Sequence, residues 1–278
     1  MTEPLILKVR TTASAPQVHS ALTEEKSLTT WLAEYATVDL PERYEFWGPS
    51  VPEGDAPHQQ LVTADATSLA FTWLLDGEET STEIAIAVEN DETIITLTQS
   101  HFDFNDVITG ASIRGVLQTF WALALANLVD SLEGRTITAR GDFTSSNLSA
   151  TVEIDAAVDA VYDSLISTEK VSEWFGYPIE IEPHVDGRFA LGGIENNPHP
   201  AIIVDLVPNE RVSVDWGPGG IGTWELEGSE GRTRLTLVSS GFDTNNPPYA
   251  GWLGNLAGLA ELRRYHEITD WKSITVAA

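Results

Sequence analysis

Leu148, Ala150, Val152 and Ile154 alternate with polar residues, the period-2 pattern of a half-buried strand. The period then changes. Val158, Val161, Tyr162 and Leu165 fall at helical spacing, and Thr168 to Phe175 reads as a second short helix. A run of five or six strands follows. Ala201–Val207 is a continuous apolar stretch with one Asp, ended by the turn signal Pro208-Asn209. Arg211–Trp216 puts Val212, Val214 and Trp216 on one face, and Thr223–Glu227 turns through Gly228–Gly231 into Thr233–Ser239. A closing helix from about Tyr249 to Asp270 carries Trp252, Leu253, Leu256, Leu259, Leu262 and Tyr265, with a polar side at Glu261, Arg263, Arg264 and Glu267.

The first half repeats this order. At an offset of 143 positions Val9 meets Val152, Val18 meets Val161, Trp31 meets Trp174 and Trp73 meets Trp216. Later offsets of 140 and about 136 align Leu97 with Leu237, and Leu117 and Leu123 with Leu253 and Leu259. Two tandem domains of one fold are therefore expected, residues 1–139 and 140–278. The first closing helix, Ala111 to Leu132, is apolar on several sides. Such a helix is buried on more than one face. Trp121, Leu125 or Leu128 is expected to pack on the other domain or on another subunit, so that the pair moves as one rigid body.

Each half thus predicts an α+β fold: an antiparallel sheet curled around a long C-terminal helix, with a cavity between them. Five stretches of the second half carry a resemblance: Ala156–Gly176, Val185–Gly193, Val204–Trp216, Arg232–Phe242 and Gly251–Tyr265. Together they resemble START-like, helix-grip domains (Bet v type, SRPBCC) of the Aha-type branch, named for activators of the heat-shock protein 90 ATPase. The first half departs from the pattern, with Glu42-Arg43-Tyr44 in place of Gly187-Arg188-Phe189 and a Pro/Gly/Asp loop at Pro49–Pro57. The resemblance implies a small-molecule cavity. It also leaves open a chaperone-associated stress-response role, or a polyketide cyclase or aromatase activity.

Composition narrows the partners. The net charge is −27, with 21 acids against 6 bases up to Ala139 and 21 against 9 beyond it. A field of that sign on both halves repels nucleic acid and anionic membranes. No run of eighteen apolar residues and no leader pattern are visible, and there is no cysteine, so a cytoplasmic protein is expected.

No phosphate-binding loop, His-Glu-x-x-His, metal-ligand spacing or G-x-S-x-G elbow appears, so no catalytic residue, metal or cofactor is assigned. "GPGGIG" (Gly217–Gly222) follows a strand but opens into another strand, which defeats a dinucleotide reading. The remaining signal is aromatic. Trp174, Phe175, Trp216, Trp224 and Trp252 are the candidate walls of an apolar ligand site, with core packing the competing role. Arg188 and His199 are the candidate polar contacts, although an ion pair of Arg188 with Asp186 or Glu180 and a simply exposed His199 (matched by His58) fit the same residues. Asp205 and Asp215 form a weak acid–base candidate, and His101 matches Gly241, so no histidine is shared there.

Overall fold

The computed structural model describes residues 4–100 and 113–277. The chain forms two compact units, residues 1–144 with 274–278, and residues 145–273. They divide beyond the 139/140 junction read from the sequence, and His101 lies outside the described residues.

Unit 1 runs β1 (Leu5–Thr11), α1 (Ala15–Thr23), α2 (Glu25–Trp31), β2 (Tyr35–Asp39), β3 (Arg43–Trp47), β4 (Gln59–Ala64), β5 (Ser68–Leu75), β6 (Glu78–Glu89), β7 (Glu92–Gln99) and α3 (Leu117–Leu132). Unit 2 runs β8 (Leu148–Ile154), α4 (Val158–Ile166), α5 (Thr168–Phe175), β9 (Ile179–Ile181), β10 (Arg188–Leu191), β11 (Ala201–Val207), β12 (Arg211–Asp215), β13 (Ile221–Ser229), β14 (Arg232–Ser240) and α6 (Tyr249–Glu267). The order is the same in both. So is the sheet: β1-β7-β6-β5-β4 in unit 1 and β8-β14-β13-β12-β11-β10-β9 in unit 2, antiparallel throughout. Each sheet curls about its closing helix. Even the irregularities match, with a bulge between Leu61 and Thr63 and another between Ile203 and Asp205.

The units part at one place. In unit 2, β10 joins β11 through Phe189 opposite Ala201. In unit 1, β2 and β3 form a separate hairpin, and the Phe46 amide donates instead to the side-chain Oε1 of Gln59 at 3.1 Å. A buried amide needs an acceptor, and Gln59 supplies one where the ladder does not.

The short helices are pinned in the same way in both units. Trp31 Nε1 donates to the Ala21 carbonyl at 3.0 Å, and Trp174 Nε1 donates to the Ser164 carbonyl at 2.8 Å. Each carbonyl lies in the last turn of the preceding helix, where it has no helical partner. The tryptophan in the last turn of the second helix therefore closes the first.

The stretch Arg114–Leu132 is long and apolar enough to cross a membrane by composition, yet it is mostly buried within the protein. Eleven residues of α3 are buried, including Trp121, Leu125 and Leu128. On α6 the expected polar side is not a solvent face: Glu261, Arg263 and Arg264 are buried, and each is partnered. Paired charges tolerate such burial where unpaired ones do not.

Candidate functional site

The interior of unit 1 is filled by six aromatic rings. Tyr44, Phe46, Phe71, Trp73, Phe120 and Trp121 are all buried, with neighbouring ring centroids 4.9 to 6.1 Å apart. Burial pushes the Tyr44 phenol well above its ordinary value. One polar hub sits among them. Gln99, fully buried, accepts at Oε1 from Thr82 Oγ1 at 2.7 Å and from Trp121 Nε1 at 3.2 Å.

Unit 2 keeps one ring pair and changes what surrounds it. Phe46 and Trp73 meet edge-on at 5.4 Å and 70°. Phe189 and Trp216, at the same offset of 143, meet at 5.4 Å and 69°. The ladders then show what replaces the rest. Thr82 lies opposite Gln99 in unit 1, and Gly222 lies opposite Ser239 in unit 2. Phe71, opposite Thr82, becomes Val214, opposite Gly222. On the closing helices the offset of 136 sets Leu256 and Ala257 against Phe120 and Trp121, and the alternation of buried and half-buried positions agrees with it. Threonine, glutamine, tryptophan and two phenylalanines thus give way to glycine, serine, alanine, valine and leucine.

One large side chain is added. Trp224 replaces Ile84, each opposite a buried leucine of the neighbouring strand, Leu237 or Leu97. Its ring lies beside that of Trp216 over Gly222. A Cβ at Gly222 would stand 3.2 Å from Trp216 Nε1 and 3.6 Å from Trp224 Cη2. Glycine is what lets both indoles lie against this strand.

Val212, Val214 and Leu226, which share the inner face with these indoles, are buried. Trp216 and Trp224 are only half-buried, whereas Trp73 is sealed. The inner face is therefore reached by solvent at this point in unit 2. Trp216 Nε1 is buried without a hydrogen-bond partner, but so is Trp73 Nε1 in the filled unit. That feature belongs to the shared Phe–Trp geometry and does not mark a ligand.

The other sequence candidates lie elsewhere. Trp174 and Phe175 pack on α6, where a Cβ at Gly258 would be 3.4 Å from Trp174 Cζ3 and 3.5 Å from Phe175 Cε2. Trp252 is buried in α6. His199 is exposed, and His58 is 3.3 Å from Asp55. Arg188 is held by Glu182, not by Asp186 or Glu180. The register sets Phe189 opposite Ile181, which brings Arg188 to Glu182; Nε donates at 2.8 Å and the backbone amide at 3.0 Å. Those bonds hold the Glu182 carboxyl down at about 2. Asp205 pairs with Arg211 at 2.6 Å, and Asp215 accepts from the Gly217 amide at 2.8 Å, so the two do not form an acid–base pair. Gly217–Gly219 is a single 3₁₀ turn leading into β13. Phe189, Gly222 and Ser239 were missed from the sequence. The offset of 143 matches Phe189 to Phe46 and signals the first.

Residues 155–263 match the family described as "Activator of Hsp90 ATPase homolog 1-like protein" (AHSA1). The matched residues all lie in unit 2. No curated protein matches the chain. Among solved structures, this chain is similar to several proteins of low identity. CalU16 from Micromonospora echinospora is 21% identical over 47% of this chain and 74% of its own, with a TM-score of 0.37. The conserved protein of unknown function EF2215 from Enterococcus faecalis is 22% identical over 46% and 75%, with a TM-score of 0.39. The di-domain ARO/CYC BexL from the BE-7585A biosynthetic pathway is 16% identical over 96% and 100%, with a TM-score of 0.37.

Proposed function

We propose that the AHSA1-type domain binds an uncharged, largely apolar or aromatic small molecule beside Trp216 and Trp224. One observation carries the reading. Two indoles on the inner face of unit 2 stay half-exposed, while the matching face of unit 1 is sealed by rings that unit 2 lacks. Half-exposed aromatic faces on a concave wall gain by covering apolar ligand surface. The net charge of −27 disfavours anionic ligands. Unit 1, with its interior filled, serves as a scaffold in this reading. Phe189, Trp216, Gly222 and Trp224 form the wall, and Arg188 and His199 take no part.

A thermal-shift screen of uncharged aromatic compounds tests it, run on the full chain and on Gly222→Thr, which copies Thr82 of unit 1. A ligand at one hundred times its Kd adds about 2.7 kcal/mol. Stabilisation of several degrees is expected for wild type and its loss in the variant. Equal shifts in both, or none across the library, would rule the site out.

A further inference from the structure

Thr233, Leu235, Leu237 and Ser239 alternate onto the inner face of β14. Two of them carry hydroxyls, and the two are treated differently. Thr233 Oγ1 donates to the Ala156 carbonyl at 2.8 Å, as Thr93 Oγ1 donates to the Ala13 carbonyl at 2.6 Å in unit 1. Ser239 is half-buried, and among the described residues its hydroxyl makes no hydrogen bond.

The matched residue in unit 1 shows what the position does when it is closed. Gln99 reaches across the interior to Trp121 and takes the Thr82 hydroxyl. Its neighbours on the same face are closed too. Thr80 Oγ1 donates to the Trp73 carbonyl at 2.8 Å, and Gln59 accepts from the Phe46 amide. Serine keeps an oxygen on this face, but its side chain ends one bond beyond Cβ. The closing helix offers Ala257 where unit 1 has Trp121, and the facing strand offers Gly222 where unit 1 has Thr82. The hydroxyl is left on the wall with its unit 1 partners removed.

Its place is the proposed site. Ser239 lies opposite Gly222, and the Cβ positions of directly opposed residues are about 5 Å apart. The Cβ position of Gly222 is the one that stands 3.2 Å from Trp216 Nε1 and 3.6 Å from Trp224 Cη2. The hydroxyl and the two indoles therefore border one space. Val214, Leu237 and Leu148, which flank the Gly222–Ser239 pair on the same face, are buried and apolar. A hydrocarbon laid over this wall would strip water from the hydroxyl without replacing the bond.

We infer that Ser239 is the polar determinant of the site, and that its ligand is an aromatic molecule with one hydroxyl or carbonyl oxygen at the end nearest Gly222. The inference rests on the apolar-ligand reading above and adds the group that orients the ligand. A serine hydroxyl donates one bond and can accept another, which suits a single ligand oxygen.

The test titrates naphthalene, 1-naphthol and 2-naphthol into the nitrogen-15-labelled full chain and follows the indole N–H signals of Trp216 and Trp224. Ser239→Ala should weaken the tighter-binding naphthol about tenfold, the cost of one lost partner. It should bind naphthalene at least as tightly as wild type does, because the uncompensated hydroxyl is gone. Naphthalene binding also shows that the variant's site is intact. Equal effects on the hydrocarbon and the naphthol, or no effect on either, would overturn the inference and leave the apolar-ligand reading standing. Indole signals unmoved by all three compounds would remove that reading and the inference with it.

Discussion

Trp174→Phe is the sharpest test of how the short helices are held. The indole N–H closes the Ser164 carbonyl at 2.8 Å, and the ring is 7% exposed. Phenylalanine keeps most of the ring but removes the donor. A buried acceptor left unpaired costs about 1–3 kcal/mol. The smaller ring adds roughly 1 kcal/mol for imperfect filling, at the low end of large-to-small core changes. The total is about 2–4 kcal/mol. Trp31→Phe breaks the matching bond to Ala21, and its ring is 1% exposed, so it should cost at least as much. Urea unfolding of the full chain, followed by far-ultraviolet circular dichroism, gives both values. Tyr177→Phe is the control, since Tyr177 is 52% exposed and surface changes stay within about 0.5 kcal/mol. If both tryptophan variants fall within the control's range, the carbonyl closure is geometry without energy and the argument fails.

Three further outcomes follow from the same contacts. Gln99→Leu leaves Thr82 Oγ1 and Trp121 Nε1 without their buried acceptor and should destabilise the full chain by about 2–4 kcal/mol in urea unfolding, with no effect on ligand shifts in the other unit. Arg188→Ala should raise the Glu182 carboxyl from about 2 towards its ordinary 4.5, read by carbon-detected NMR titration. Because the folded value is depressed, the stability linked to Glu182 is present above about pH 4.5 and is lost as pH falls towards 2; the variant, which keeps the backbone amide donor, should show a smaller loss. Burial, and then the 2.9 Å bond to Glu173, push the Tyr265 phenol up to about 12, so Glu173→Gln should lower its ultraviolet titration midpoint, and an unchanged midpoint would assign the whole shift to burial.

The repeat was legible because apolar period and tryptophan spacing survive when identities do not. Trp31 and Trp174 bond the preceding helix in the same way, and Trp73 and Trp216 meet the matching phenylalanine in the same way. Paired charges were less legible. Arg188 finds Glu182 because the β9–β10 register brings residues six apart face to face, and no local spacing rule expresses that. The buried side of α6 was misread for a similar reason. Glu261, Arg263 and Arg264 read as solvent-facing by residue type, yet a charge with a partner can be buried. Gly222 was hidden by its setting in "GPGGIG", where every glycine reads as a turn. Only the cross-strand match to Thr82 shows that its missing side chain makes room for two indoles.

Repetition with opposite filling gives the chain its internal control. The backbone order, the bulge, the helix closure and the Phe–Trp pair are common to both units, so none of them explains a difference between them. What differs is volume and polarity around that pair: a hydrogen-bonded Thr82–Gln99–Trp121 plug in one unit, and Gly222 with Ser239 and a half-open Trp216–Trp224 wall in the other. A plug of this kind stabilises a unit at the expense of any cavity, because interiors are packed close to their limit. Transplanting it tests the division directly. Gly222→Thr with Ser239→Gln brings the two polar members of the plug into unit 2, where Gln99 and Thr82 stand 2.7 Å apart in unit 1. Trp216 must then shift, because a Cβ at 222 would stand 3.2 Å from its Nε1 before the γ atoms of threonine are added. The expected readout is a change in indole fluorescence together with loss of every ligand-induced thermal shift. Retained shifts would place the ligand away from these indoles, and the contrast between the two interiors would then be packing alone.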